Sequence, residues 1–165
     1  MLKMAIAVTD SDTINKLIYD GNYKFLNFST YEEYNIVELQ GNEWSKISKV
    51  SVNENGDILG YFSANISQYQ QRIDSCFFVK FPHNYQLEND KSIAYNDFRE
   101  FVDYIMNHPI YKKVSFRAIK DNPANKAYEE FLNKYNGERF LLKDYVRLKD
   151  GKYYDVYLYY FNRKE

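Results

Sequence analysis

Apolar residues along the chain follow two spacings, one typical of strands and one typical of helices. Val114, Phe116 and Ala118 occupy every second position, which predicts a strand. Pro123 ends that strand, and an apolar face at helical spacing follows until Gly137 stops the helix. A turn between a strand and a helix exposes backbone N–H groups, so this stretch is a candidate binding site. The helical face consists of Ala124, Ala127, Tyr128, Phe131, Leu132 and Tyr135.

The N-terminal part of the chain predicts one strand and two helices. An apolar run at residues 3–8 predicts the strand. Polar residues at 10–12 offer caps for a first helix, whose apolar face consists of Ile14, Leu17 and Ile18. A second helix begins at a capping box formed by Thr30 and Glu33 and ends by Gly41.

The middle of the chain predicts three antiparallel strands. Asn55 and Gly56 tolerate positive φ, so they predict a hairpin turn between strands at residues 47–52 and 58–66. A third strand follows and ends at Pro82. Strict alternation places one face of this third strand at Ile73, Ser75, Phe77, Val79 and Phe81.

A helix and a second hairpin complete the set of elements. The helix begins at Asp90 or Ser92, and it precedes the strand and helix described first. An Asp-Gly pair at residues 150–151 predicts the hairpin turn between strands at 140–148 and 153–161. The apolar stripe of the helix is Ala94, Phe98, Phe101, Val102 and Ile105.

The elements follow the order β, α, α, β, β, β, α, β, α, β, β. This order predicts a single domain over residues 1–165, in the α/β class with a mixed α+β sheet. The central sheet is mixed and mostly antiparallel, and helices flank it on both faces. The chain has 18 tyrosines and 12 phenylalanines, so aromatic contacts should dominate the core.

Charge and cysteine content argue against several kinds of function. A net charge of −1 gives no general attraction for nucleic acid or an anionic membrane, so neither is expected as a partner. The single cysteine, Cys76, rules out an internal disulfide and favours a reducing, cytoplasmic location. Cys76, His83 and His108 lack the spacing of a ligand set, so no metal site is predicted.

Two segments resemble motifs of a known family. The hairpin NENGDILGYFSANI, residues 53–66, is similar to a strand pair of the GNAT superfamily of acyl-CoA-dependent N-acyltransferases. The segment NPANKAYEEFLNKYNGERF, residues 122–140, is similar to that family's Asn-containing helix. On this match Asn125 takes the asparagine position and Lys134 the lysine position, and the element order resembles the family over nearly the whole chain.

The resemblance implies an N-acetyltransferase that moves an acyl group from acetyl-CoA, or a related acyl-CoA, to an amine of a small molecule or protein. The pantetheine arm would lie between the strands at residues 77–81 and 114–118, and the pyrophosphate would lie at the start of the next helix. Tyr128 is the catalytic candidate, as the acid that protonates the leaving thiolate, because Leu132 stands at the family's tyrosine position. The expected cofactor-binding residues are Phe78, Val79, Lys80, Ser92, Ile93, Ala94 and Asn125.

Other functions stay open. A GNAT-like scaffold without acyl-CoA binding would be a protein-interaction module, with its aromatic C-terminal strand on a partner or, in a homodimer, on a second copy. Glycine lets a backbone approach phosphates closely. Residues 82–98 contain no glycine, which favours this alternative. Binding of single-stranded nucleic acid through the tyrosines is disfavoured, because the sequence contains no run of basic residues. Asp74 and Glu38 are candidate general bases, but charged surface positions on a strand and a helix are the better explanation for both carboxylates.

Overall fold

A computed structural model describes residues 1–5, 10–23, 25, 45–148 and 150–163. The predicted capping box at Thr30, the helix that follows it and Glu38 lie outside the described residues. Within them, every other predicted helix and strand is present, and no helix is long and apolar enough to cross a membrane.

In the part of the chain that the structure describes, seven strands and three helices follow one another in the predicted order. A short 3-10 turn at Pro82–Asn84 lies between the fourth strand and the helix after it. The elements are β1 (Leu2–Met4), α1 (Asp10–Asp20), β2 (Lys46–Val52), β3 (Ile58–Ser67), β4 (Arg72–Lys80), α2 (Asp90–Met106), β5 (Lys113–Ile119), α3 (Asn125–Tyr135), β6 (Glu138–Arg147) and β7 (Tyr153–Asn162).

The strands form one sheet in the order β1-β2-β3-β4-β5-β7-β6. All neighbours are antiparallel except β4 and β5, which are parallel because α2 crosses over between them. Helices α2 and α3 cover one face and α1 covers the other, which confirms the predicted mixed sheet with helices on both faces. The aromatic last strand cannot pair edge to edge with a partner chain, because β5 and β6 occupy both edges of β7, whereas packing of its face on a partner stays a prediction.

Aromatic rings fill the face beneath α2 and α3. Phe116 in β5 lies 5.0 Å from the Tyr128 ring of α3 and 5.4 Å from the Tyr159 ring of β7, measured between centroids. Phe78 in β4 meets the Phe98 ring of α2 at 5.3 Å. Such edge and offset contacts add to the free energy gained by burying the rings, so they fix the spacing between helices and sheet.

The strict alternation predicted for β4 is wrong at its centre. Residues Ser63 and Asn65 of β3 pair with Phe77 and Asp74, so two residues of β4 lie opposite one residue of β3. Ser75 takes the extra position with a φ of 49°, which makes this a β-bulge. Ile73 therefore packs on the same side of the sheet as Phe78, and Phe77 packs with α1 on the opposite side.

The end of α3 differs from the prediction by one residue. Asn136, with a φ of 51°, takes the left-handed conformation expected of Gly137. Gly137 is needed for a different reason, since a Cβ there would lie 2.5 Å from the Phe161 ring.

Candidate functional site

Strands β4 and β5 are paired only where they begin. Their register pairs are Arg72 with Lys113 and Ile73 with Val114. The bulge at Ser75 follows at once, and beyond it no further register pairs join the two strands. The sheet therefore contains a gap between two parallel strands, and backbone groups line both walls of it.

On the β4 wall, alternate residues present their backbone groups to the gap. The Phe81 N–H donates to the Leu59 carbonyl at 2.8 Å, which assigns the odd-numbered residues that follow the bulge to the ladder with β3. The backbone of Val79 is therefore directed to β3, whereas Phe78 and Lys80 direct theirs to the gap. Phe78, Val79 and Lys80 are the cofactor-binding residues predicted on this strand, and the backbone groups of Phe78 and Lys80 are directed away from β3 and towards the gap.

On the β5 wall, Ser115 and Arg117 present their backbone groups to the gap. Lys120 N–H donates to the Asp155 carbonyl at 2.9 Å, so even-numbered residues of β5 belong to the ladder with β7. The Cys76 thiol confirms this direction, because it donates across the gap to the Ser115 carbonyl at 3.6 Å.

A cavity of about 210 Å³ lies where the two strands diverge. Its lining is about equally polar and apolar, and the residues with polar side chains are Arg117, Asn122, Cys76, Tyr128 and Tyr145. Arg117 lies 5.2 Å from the centre of the Tyr145 ring. The strand residues that line the cavity are Cys76, Phe77 and Phe78 from β4 and Arg117, Ala118 and Ile119 from β5.

Tyr128 is both a core aromatic and a wall of the cavity. Its side chain is only 6% exposed and its ring packs on Phe116 and Tyr159. Burial raises the pKa of the phenol, and the neighbouring Cys76 and Tyr159 raise it further. At neutral pH Tyr128 is therefore a protonated phenol, which can donate a hydrogen bond into the cavity.

Asn125 ties the end of β5 to the start of α3. Its side-chain N–H groups donate to the carbonyls of Ile119 and Lys120, both at 2.8 Å. Its Oδ1 accepts a hydrogen bond from the Tyr159 hydroxyl at 2.9 Å. The predicted role of Asn125 in cofactor binding stays a prediction, and the observed contacts give it a positioning role beside the cavity.

Lys80 is held from two sides at the end of β4. The Tyr23 hydroxyl donates to its carbonyl, and its amine lies 5.2 Å from the Tyr95 ring centre and 5.3 Å from that of Phe98. Burial lowers the pKa of the Lys80 amine, and the nearby Lys91 lowers it further.

Comparisons with known proteins identify the fold. The sequence matches no protein-family model and no curated protein. A point mutant of spermidine N-acetyltransferase from Vibrio cholerae superposes with a TM-score of 0.69 at 14% identity, covering 98% of this chain and 94% of that one. A GNAT-family acetyltransferase from Streptococcus pneumoniae gives a TM-score of 0.66 at 15% identity, covering 98% of both chains. A probable GNAT-family acetyltransferase from Chromobacterium violaceum gives 0.68 at 14% identity, covering 98% and 86%.

The chain has the GNAT fold. The predicted superfamily resemblance is confirmed at this level, and the gap between β4 and β5 is the place where the resemblance implied a pantetheine arm. The gap suits such an arm, because an extended amide chain can pair with the backbone edges of Phe78 and Arg117 as a strand would.

The gap suits the pantetheine arm, but the segment between β4 and α2 does not suit the pyrophosphate of an acyl-CoA. The N-cap of α2 is Asn89, and Asp90 in the first helical position directs its carboxylate backwards to the N–H groups of Gln86 and Leu87. The sequence predicted that Asp90 or Ser92 caps this helix, and it indicated that the carboxylates of Glu88 and Asp90 are unfavourable neighbours for a polyanion. A carboxylate that bonds the preceding loop differs from such a cap, which would bond the first turn of the helix.

The three helix residues predicted at the pyrophosphate have different environments. Ser92 is exposed, the Ile93 N–H donates to the Asn89 carbonyl at 2.9 Å, and Ala94 is buried in the core beneath α2. Their predicted contact with a cofactor stays a prediction.

The candidate general base Asp74 does not line the cavity. Asp74 forms an ion pair with Arg72 at 2.6 Å, near the end of β4 that is paired with β5. Among the described residues, no group of His, Cys, Asp and Glu is arranged to hold a metal ion. The sequence analysis did not single out Arg117 or Asn122, because an exposed strand arginine and a turn asparagine are common.

Proposed function

We propose that this chain is an N-acyltransferase that moves an acyl group from a pantetheine thioester, such as acetyl-CoA, to an amine. The observation that supports this most is the gap between β4 and β5, with free backbone edges on both walls and a tyrosine phenol at its cavity. The proposal places the protein in the cytoplasm, where such thioesters are available to it.

In this proposal the backbone binds the donor. The N–H and carbonyl of Phe78, the N–H of Lys80 and the backbone groups of Arg117 would pair with the amides of the pantetheine arm. The cavity between them would hold the thioester away from water, where hydrogen bonds to a developing charge are stronger.

Tyr128 would act at the leaving sulfur. An amine that attacks the thioester carbonyl displaces a thiolate and loses one of its own protons, and the transfer balances when that proton converts the thiolate to the free thiol. The Tyr128 phenol, which stays protonated, would donate a hydrogen bond to the sulfur as it leaves. Cys76 is not the nucleophile in this mechanism, because burial, and to a lesser degree Asp74, raise the pKa of its thiol and keep it protonated.

The acceptor amine is not proposed to be a polyamine. Among the described residues that line the cavity, Arg117 carries the charge, so a neutral or anionic group beside the amine would be favoured there. We propose an amine on a small molecule or protein whose surroundings are neutral or anionic.

The second candidate is a scaffold that binds partners and has lost the donor. One observation favours it, namely the Asp90 carboxylate on the loop N–H groups where a ligand anion would otherwise bind. In that case a partner protein or a second copy in a homodimer would be its ligand.

A melting experiment with S-acetylpantetheine separates the two candidates. Binding at about 100 times the dissociation constant should stabilise the fold by about 2.7 kcal/mol. A transfer assay with a panel of amines, followed by release of free thiol, then tests turnover. The absence of any shift at millimolar S-acetylpantetheine and CoA would contradict the acyltransferase proposal and leave the scaffold.

A further inference from the structure

The segment between β4 and α2 is folded around one of its own carboxylates. Asp90 Oδ2 accepts hydrogen bonds from the backbone N–H groups of Gln86 at 2.7 Å and Leu87 at 2.9 Å. Asp90 is 0% exposed, so the carboxylate is enclosed within the segment. Two N–H groups that converge on one anion form the kind of site in which proteins hold phosphate.

A second segment closes this site from the other side. The Asn53 side chain, in the turn between β2 and β3, donates to Asp90 at 3.2 Å and to Asp57 at 2.9 Å. Its Oδ1 accepts from the N–H groups of Asn55 and Asp57 at 3.0 and 2.9 Å. Opening the segment for a ligand would therefore leave buried polar groups of two turns without partners.

Asp90 adds a negative charge where a diphosphate would bind. It lies in the first turn of α2, where the helix dipole would otherwise favour an incoming anion. The basic side chains nearby are Lys91, which follows Asp90, and Lys80, whose amine lies over the rings of Tyr95 and Phe98. A diphosphate at this place would meet an anion already bonded to the N–H groups of Gln86 and Leu87.

We propose that this chain recognises pantetheine thioesters by the arm alone, because Asp90 supplies the anion that the β4–α2 segment binds. This inference rests on the proposed function and narrows its donor class. The nucleotide diphosphate of CoA gains no affinity from this segment. Donors that lack the nucleotide are therefore bound with the same affinity as CoA.

Calorimetric titration of the whole chain with CoA and with pantetheine tests the proposal. We expect dissociation constants that agree within about threefold, since no diphosphate contact separates the two ligands. A preference for CoA of about tenfold or more would overturn this inference and leave the acyltransferase proposal standing. Failure of both ligands to bind would overturn the acyltransferase proposal itself.

Variants of Asp90 test the physical cause. Asp90→Ser frees the N–H groups of Gln86 and Leu87, so CoA should come to bind about tenfold tighter than pantetheine. Asp90→Asn removes the charge and keeps a hydrogen-bond acceptor, which protects the fold, and should give a smaller gain for CoA. An unchanged ratio in both folded variants would overturn the proposal.

Glu88→Gln is the matched control. It removes an exposed carboxylate from the same segment without disturbing the hydrogen bonds of Asp90. The ratio of the two dissociation constants should stay at its wild-type value. A rise as large as that of Asp90→Ser would assign the effect to overall charge and contradict the role given to Asp90.

Discussion

The two ends of the candidate site are built from different parts of the chain. The gap between β4 and β5 is a consequence of backbone topology, because one parallel pair and one bulge are enough to separate the strands. The β4–α2 segment depends on a single side chain, since Asp90 determines where its N–H groups are directed. A fold can therefore retain the first half of a binding site while one residue changes the second.

Among the changes at the gap between β4 and β5, removal of the Tyr128 hydroxyl should have the largest effect on turnover. Tyr128→Phe keeps the ring contacts with Phe116 and Tyr159 and removes the proton donor, so turnover should fall by about 100-fold, in the range of general acid catalysis. Donor binding should change little. Steady-state kinetics with S-acetylpantetheine and the best amine of the panel measure both quantities.

Tyr135→Phe is the control for that variant. Tyr135 lies on the same helix, but its hydroxyl donates to Asp103 at 2.5 Å, and it does not line the cavity. Turnover should match the wild type. Equal losses in the two variants would show that the hydroxyls act on the stability of α3, which would remove Tyr128 from the chemistry.

Filling the cavity should weaken donor binding without closing the β4–α2 segment. Ala118 lines the cavity on β5, and Ala118→Leu adds three carbon atoms to it. The dissociation constant of pantetheine should rise by about tenfold or more, a loss of about 1.4 kcal/mol. Ala127→Leu adds the same atoms on α3 away from the cavity lining and should leave binding unchanged; equal weakening in both would place the donor elsewhere.

Asn125→Ala should lower stability more than it alters chemistry. The side chain makes two hydrogen bonds to backbone carbonyls and accepts one from Tyr159, so its loss should lower the free energy of unfolding by about 1–3 kcal/mol. Urea denaturation measures this change. Asn133→Ala, at an exposed position of the same helix, should stay within about 0.5 kcal/mol of wild type.

Protonation of Asp90 in the β4–α2 segment should lower the stability of the fold in acid, and this is the smallest effect of the series. Burial alone would raise the pKa of Asp90, but hydrogen bonds from Leu87, Gln86 and Asn53 hold it below its ordinary value of 3.8. Its contribution to stability is therefore complete above that value and is lost as the pH falls through the lower, folded pKa. Denaturation between pH 6 and pH 2 should show a shallower decline for Asp90→Asn than for wild type, and parallel curves would contradict this account.

Periodicity in the sequence was sufficient to predict the element order. The stripes of α2 and α3 and the turns at Gly56 and Gly151, with φ of 86° and 78°, depend on local spacing and local backbone preference. The bulge at Ser75 was not predicted, because alternation of apolar residues does not reveal an inserted residue. The gap, which depends on that bulge, could therefore be predicted only through the family resemblance.

The role of Asp90 was beyond the reach of local patterns. An aspartate before an apolar helical stripe is typical of a cap, and only the folded chain brings Asn53 of the β2–β3 turn onto its carboxylate. The absence of glycine from residues 82–98 did indicate that the segment departs from a phosphate-binding loop. Which group had replaced the phosphate required the structure.

Amide chemical shifts of the isotope-labelled chain, recorded during titration with S-acetylpantetheine, test the central claim most directly. The account predicts that the backbone amides of Phe78, Lys80 and Arg117 shift together and saturate, while those of Gln86 and Leu87 stay in place on Asp90. Saturable shifts elsewhere, with the three gap amides unchanged at millimolar ligand, would show that the gap between β4 and β5 is not the donor site.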